Sequence, residues 1–289
     1  MLKIALPHKG RLAEDTRELF TDAGLDVRSN GERSLVASLG GEFEALFVRA
    51  QDVPEFVADG AADAGVTGWD LVCETGRPID AMLDLGFGRC RLVVAAREES
   101  GISGLGDLVG AQRVATAFPR VTRRFFEDAG YTVDVVPVSG AAEIAPHLGI
   151  ADVIVDIASS GFTLRTNGLR EVATVLESSA RLIASNVNSA TWSPAKRCAL
   201  DELLTALASV LRARGQRYVM ANVPRTALDR VKDVLPGLSG PTVIDILNGG
   251  SLVAVHAVVP ASAIFRTIAQ LKALGGEGIL VTRIERLMP

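Results

Sequence analysis

The 289-residue sequence is poor in the residues that mark several large classes of protein. It has three cysteines, Cys73, Cys90 and Cys198, an odd number at wide spacings. That excludes a disulfide framework and a cysteine zinc site and leaves reduced thiols. Two Trp, two Tyr and a formal net charge of -4 supply neither stacking platforms nor a basic face, so no nucleic-acid partner is expected. No apolar run reaches the roughly eighteen residues of a membrane span, and the start MLKIALPHKGRL lacks the apolar stretch and cleavage site of a signal peptide. A soluble, cytoplasmic protein without a membrane partner is the expectation. His8, His147 and His256 are too scattered for a metal site or a triad. The G-x-x-x-x-G-K-[ST], H-E-x-x-H and G-x-S-x-G patterns are all missing.

What is present is core-forming material. With 48% hydrophobic and 22% charged residues, the chain can bury two or three domains. Short apolar runs alternate with helical patterns, the signature of an α/β chain. LKIALP, FEALFVRA, AADAGVTG, RLVVAAR, residues 113–116, VDVVPVSG and VIVD are predicted strands. LAEDTRELFTDAG, DVPEFVADG, the stretch ending at Gly130 and residues 141–148 are predicted helices. LFTDAGLDV (19–27) and FFEDAGYTV (125–133) form a near-repeat, read either as two similar lobes or as a common helix ending. From about Gln216 the order becomes βαββαβ, a ferredoxin-like domain without an acid, base or metal constellation.

Six stretches can carry chemistry. ADVIVDIASSGFTL (151–164) is a strand that ends in Asp156 and then in a turn, Ser159-Ser160-Gly161-Phe162-Thr163. Amides and hydroxyls in such a turn bind an anion, and a carboxylate with two acceptor oxygens suits a sugar diol. Together they describe a ribose 5-phosphate, or else an ordinary strand-to-helix turn with Asp156 as a cap. PHKGRL sets Lys9 and Arg11 about Gly10 after the first strand, suited to pyrophosphate or simply solvated. Arg49 follows another apolar run as a third cation. GVTGWDL offers glycines and Asp70, either a helix cap or an acceptor for an exocyclic amine. ATAFPRVTRRFF has Thr116 and then Arg120, Arg123 and Arg124 on one helix, a solvated face or a triphosphate contact. Glu143 is a candidate magnesium or ribose contact, or a plain surface acid.

Taken in order, LPHKGRL, GVTGWDLV, VATAFP and ADVIVDIASSGFTL with NGL following resemble the ATP phosphoribosyltransferase family over the whole chain, in its long form with a C-terminal ferredoxin-like domain. The resemblance implies two periplasmic-binding-protein-like α/β lobes with a central cleft. Lobe I would span 1–88 and 187–211, lobe II 89–186, and the regulatory domain 212–289. It implies transfer of phosphoribose from 5-phosphoribosyl 1-pyrophosphate to N1 of ATP with release of pyrophosphate, the first step of histidine biosynthesis, with Mg2+. Phosphoribose would lie on Asp152, Asp156, Ser159, Ser160, Gly161, Phe162 and Thr163. Lys9, Arg11, Arg49 and Asp156 would be catalytic, Gly10, Asp70, Leu71 and Thr116 would contact ATP, and Glu143 would hold metal.

For the tail, the resemblance implies feedback inhibition by L-histidine at Asn222, Thr242 and Val258, in a homo-oligomer exchanging between dimer and hexamer. Asp156 is followed by Ile157 rather than a second acid, so the diol contact could pass to Asp152 or Glu143. A two-lobed solute-binding protein and an amino-acid sensor are the competing classes. The missing export signal and the charged cleft loops argue against the first, and the N-terminal loops argue against the second.

Overall fold

The apolar runs form strands that are buried on both faces, as parallel strands covered by helices must be. LKIALP is β1 (Leu2–Pro7), with Leu2, Ile4, Ala5 and Leu6 all buried. The computed structural model describes residues 1–28, 34–110, 112–185, 189–247 and 250–288. These divide into two units, Met1–Leu204 and Thr205–Pro289.

In the first unit, β1 joins β2 (Val27–Arg28), β3 (Val36–Leu39), β4 (Phe43–Val48), β5 (Ala64–Gly68), β6 (Ile79–Asp84) and, later in the chain, β12 (Ala180–Ser185). The order is β2-β3-β4-β1-β5-β12-β6. A second sheet holds β7 (Cys90–Arg97), β8 (Gln112–Thr116), β9 (Val133–Pro137), β10 (Val153–Ala158) and β11 (Leu169–Ser178), in the order β11-β7-β10-β8-β9. The chain therefore leaves the first sheet after Asp84 and returns to it after Ser178.

Five strands of the first sheet match the second strand for strand. β4, β1 and β5 are parallel neighbours followed by antiparallel β12 and β6, while β9, β8 and β10 are parallel neighbours followed by antiparallel β7 and β11. The Asp-Ala-Gly repeat belongs to this match. Helix α1 (Ala13–Asp22) follows β1, and α4 (Pro119–Asp128) follows β8. Each is followed by a glycine at positive φ, Gly24 at 74° and Gly130 at 81°, which an L side chain would resist. In each, the next N–H (Leu25, Tyr131) donates to a phenylalanine carbonyl (Phe20, Phe126) at 2.8 Å. Between α1 and α4 come α2 (Val53–Ala58) and α3 (Trp69–Thr75), and after them α5 (Phe162–Thr166) and α6 (Pro194–Ala213).

Three expectations change. The predicted boundary between 186 and 187 lies outside the described residues, but β12 before it already pairs with β5 and β6, so the second lobe ends at the crossover after Ser178. The division at Leu204 also falls inside α6, ahead of the expected residue 212. The predicted helix over 141–148 reduces to one 3-10 turn, Ala142–Ile144. Pro146 lacks an N–H and disfavours helical geometry at the residue before it, which stops the helix.

The second unit has β13 (Gln216–Pro224), α7 (Leu228–Val234), β14 (Thr242–Asp245), β15 (Leu252–Pro260), α8 (Ile264–Ala273) and β16 (Glu277–Arg283). The sheet order β14-β15-β13-β16, antiparallel throughout, is ferredoxin-like. Val219, Ala221 and Val223 alternate inward with Val253, Val255 and Val259 against Val231 and Leu271 of the helices. The other face of the sheet stays open.

Candidate active site

In lobe I the parallel strands bring three expected cations to one edge. His8 Nδ1 lies 3.0 Å from the Val48 carbonyl and its N–H donates to the same oxygen, so the exits of β1 and β4 are tied together. Thr67 Oγ1 donates to the Ala50 carbonyl at 2.6 Å and ties in the exit of β5. Lys9, Gly10 and Arg11 leave β1 exposed, and Arg49 leaves β4 exposed at the same edge. Gly10 sits at φ 86° with open space where a Cβ would be, so the backbone between two cations can be approached closely. This is the carboxyl edge of a parallel sheet, where ligands bind in α/β folds.

Lobe II presents the matching edge. β10 ends at Ala158, and Ser159, Ser160 and Gly161 turn the chain into α5. Gly161 is buried at φ 68°, where a Cβ would meet Glu171 Oε1 at 2.8 Å and Arg165 Nη1 at 3.1 Å. Phe162 N–H donates to Ser160 Oγ, while the Phe162 ring is 68% exposed, so only the backbone of that residue can serve a phosphate. Thr163 is exposed on the first turn of α5. Asp156 is half-buried, and its carboxylate accepts the Ile157 N–H at 2.7 Å. Burial pushes its pKa above the ordinary carboxylate value, the Ile157 bond opposes this, and the charge of Glu143 adds to the rise. The 3-10 turn that bears Glu143 packs against β10, so the two acids sit on neighbouring elements. Ala141, just before Glu143, is held at φ 51°, unusual for a residue with a Cβ, and such strain collects at ligand sites.

Three expected contacts are engaged otherwise. Asp152 precedes β10 and accepts the Arg113 N–H at 2.8 Å, at the far end of the strand. Four residues of strand put it about 13 Å from Asp156, too far to share a ribose. Thr116 is fully buried, and its hydroxyl accepts the Phe118 N–H at 2.9 Å in the turn into α4. Asp70 is 2% exposed, with its N–H donating to Ser178 Oγ while that hydroxyl donates back to the Asp70 carboxylate. Leu71 packs against the lobe II core. Arg120, Arg123 and Arg124 line a groove of about 890 Å³ between α3 and α4, not the phosphate turn.

Sequence spacing missed a set of residues gathered at the crossovers between the lobes. A cavity of about 350 Å³ is lined by Ser159 of the turn together with Arg89, Arg91, Asp84, Ser179 and Arg181 at the crossovers. Arg91 makes a two-pronged ion pair with Glu171 at 2.8 and 3.1 Å. Arg181 pairs with Asp84 at 3.3 Å and lies over the Trp69 ring, and its buried Nε has no partner. Burial raises the Asp84 pKa, but the Gly86 N–H, the Ser179 hydroxyl and the Arg181 and Arg89 charges outweigh it, so the net shift is downward. The one available signal is a run of arginines at 89, 91 and 181 flanking strands whose partners are distant in sequence. Among the described residues no group of three metal-ligating side chains occurs, so a metal here would need ligands from the substrate as well as from Asp156 and Glu143. Magnesium bound by one or two carboxylates and substrate phosphates fits such a pair.

In the second unit, Asn222, Thr242 and Val258 all lie on the open sheet face, but apart. Asn222 stands opposite Ala254, Thr242 opposite His256, and Val258 opposite Tyr218. The four residues from Ala254 to Val258 span about 13 Å, so the three do not converge on one point. Between them stands an unpredicted pair, Tyr218 hydroxyl to His256 Nδ1, with the rings edge to face. Beside Asn222, Gly278 takes φ 58° where β16 slips register against β13.

Two matched α/β lobes, with cations at one strand edge and a hydroxyl-rich turn close to Asp156 at the other, have the build of a two-lobed α/β protein suited to an anionic, phosphorylated substrate. The sequence model for ATP phosphoribosyltransferase matches residues 49–209, and that for the C-terminal domain of the same family matches 213–286. ATP phosphoribosyltransferase of Gemmatimonas aurantiaca is 70% identical, and that of Methanococcoides burtonii 49% identical, each over 100% of both chains. A solved ATP phosphoribosyl transferase (HisG:HisZ) complex from Thermotoga maritima aligns at TM-score 0.63 and 30% identity, covering 74% of this chain and 99% of that one. The chain belongs to the ATP phosphoribosyltransferase family, in the form that carries the C-terminal domain. It is a transferase of histidine biosynthesis. No helix among the described residues is long and apolar enough to cross a membrane.

Proposed function

We propose that phosphoribosyl transfer takes place between the two strand edges, with lobe II holding the phosphoribose and lobe I the departing charge. Asp156, with Glu143 on the neighbouring element, beside the Ser159–Thr163 turn carries this reading. The 5-phosphate lies on the turn's amides and on the Ser159, Ser160 and Thr163 hydroxyls. Asp156, with Glu143, holds the ribose diol and faces the positive charge that develops at the anomeric carbon as its bond to pyrophosphate breaks. Adenine N1 carries a free electron pair at neutral pH, so it forms the new bond without a strong base. Pyrophosphate leaves with the electron pair of the broken bond, and Lys9, Arg11 and Arg49 offset its charge without reorganising at the moment of reaction. Mg2+, when bound with substrate, supplies further charge on the pyrophosphate oxygens.

The open sheet face of the C-terminal domain supports L-histidine as a feedback inhibitor, with Asn222 and Thr242 as polar contacts and Tyr218 and His256 beside them. The same domain supports assembly as dimer and hexamer, and a cytoplasmic setting follows from ATP and 5-phosphoribosyl 1-pyrophosphate as substrates.

The test is incubation with ATP, 5-phosphoribosyl 1-pyrophosphate, magnesium and a pyrophosphatase, with and without L-histidine, for the natural chain and Asp156→Asn. Phosphoribosyl-ATP that histidine suppresses and the variant fails to make is the expected result. Full activity of Asp156→Asn would remove the site from lobe II, and activity indifferent to histidine would remove the regulatory reading.

A further inference from the structure

Helix α3 follows a strand of lobe I and packs Val72 into the lobe I core, yet its Leu71, Asp70 and Glu74 engage lobe II. Leu71 packs with the lobe II core, and Asp70 exchanges two hydrogen bonds with Ser178 at the return crossover. One turn further on, the Glu74 carboxylate accepts the Arg120 N–H at 2.9 and 3.1 Å and the Val121 N–H at 3.0 Å. These are first-turn amides of α4, which Phe118 at the N-cap leaves without a side-chain cap. The contact is reciprocal. The Arg120 guanidinium lies over Gly76, the residue at φ 62° that closes α3, so closely that a Cβ there would overlap it. An acid from lobe I therefore meets the amino end of a lobe II helix, and a cation from lobe II meets the carboxyl end of a lobe I helix. Both charges complement the helix dipoles.

We propose that Glu74 is a positioning residue for phosphoribosyl transfer: by capping the helix of the opposite lobe it sets the separation of the two lobes. This rests on the proposed division of the substrates between the lobe edges. Lys9, Arg11 and Arg49 stand on one lobe and the phosphoribose turn on the other, linked covalently by the crossovers after Asp84 and Ser178. A change in the lobe angle therefore moves the departing pyrophosphate relative to its cations, and displacements of about 1 Å can cost a hundredfold in rate. Glu74 is partly exposed and Arg120 exposed, so losing the cap turns two amides toward water without opening the core.

The experiment compares the full-length natural chain with Glu74→Ala, Glu74→Gln and Gly76→Ala. It reads kcat and KM, binding of 5-phosphoribosyl 1-pyrophosphate alone by calorimetry, and the thermal midpoint. For Glu74→Ala the expected result is a fall in kcat of between about ten- and a hundredfold, with calorimetric affinity within about twofold of the natural chain. Glu74→Gln, which keeps an acceptor oxygen, recovers part of that rate, and Gly76→Ala, which displaces Arg120 from the other side, loses rate in the same way. Natural rates in Glu74→Ala would overturn the inference. So would a loss of substrate affinity in step with the thermal midpoint, because that is the behaviour of a residue that only supports the fold. Absence of phosphoribosyl-ATP from the natural chain would instead overturn the underlying reading, whatever the variants do.

Discussion

At the scale of single residues, Asp156 illustrates a site held against its own stability. Its carboxyl is raised above the ordinary aspartate value by burial, with Glu143 adding to the rise. A raised acid stabilises the fold fully only below the unfolded value of 3.8, and the contribution is lost as pH climbs through the folded value. At neutral pH the charged form is therefore a cost. Asp156→Asn should raise the thermal midpoint at pH 7 by on the order of 2 °C while abolishing phosphoribosyl-ATP formation, and the gain should vanish below about pH 4. Scanning calorimetry at the two pH values, beside the activity assay, checks both halves. The position of Asp156, near the end of a strand and ahead of a hydroxyl-rich turn, was legible in sequence because it is a local pattern. The burial of Thr116 and Asp70 was not, since each depends on a partner chosen by packing: Phe118 and Thr122 for one, Ser178, 108 residues away, for the other.

At the scale of elements, the turn after β10 depends on one backbone conformation. Gly161 at φ 68° lies where a side chain costs about 1–2 kcal/mol before any clash, and here a Cβ would also press on Glu171 and Arg165. Gly161→Ala should lower the thermal midpoint and weaken 5-phosphoribosyl 1-pyrophosphate binding by about tenfold or more, measured by calorimetry. Natural affinity in that variant would show that the turn does not seat the phosphate. Strands with strong apolar runs, such as β1, β7 and β15, were visible in the sequence. The stretch at 141–148 failed as a helix because Pro146 outweighed its alanines. Strands β11 and β12 carried no motif, and their place comes from pairing with β7, β5 and β6, set far earlier in the chain.

At the scale of the molecule, metal and inhibitor should act on different observables. No cage of three ligating side chains is found among the described residues, so chelation with EDTA should abolish turnover while leaving the thermal midpoint of the substrate-free protein within about 1 °C. A large loss of stability on chelation would point to a structural metal instead. In the C-terminal unit, Thr242 shares its face with His256 and Tyr218. Thr242→Ala should raise the histidine concentration needed for half-inhibition by about fivefold or more, relative to the same variant assayed without histidine. An unchanged inhibition curve would move the regulatory site off this face.

By itself the sequence determined what its local order can carry: an α/β chain with a ferredoxin-like tail, the Asp-Ala-Gly helix endings, the cations about Gly10 and the acid-and-hydroxyl turn of lobe II. Each depends on residues within a few positions of one another, where periodicity, backbone freedom and charge act directly. Tertiary structure alone decided which of those pieces share an edge. It set Lys9 and Arg11 beside Arg49 through the parallel pairing of β1 and β4, and brought Glu74 to the helix of the other lobe. Strand pairing and helix capping across lobes join residues tens of positions apart. Their register is fixed by burial of whole faces and by the need to satisfy every buried amide, constraints that no short window of sequence contains.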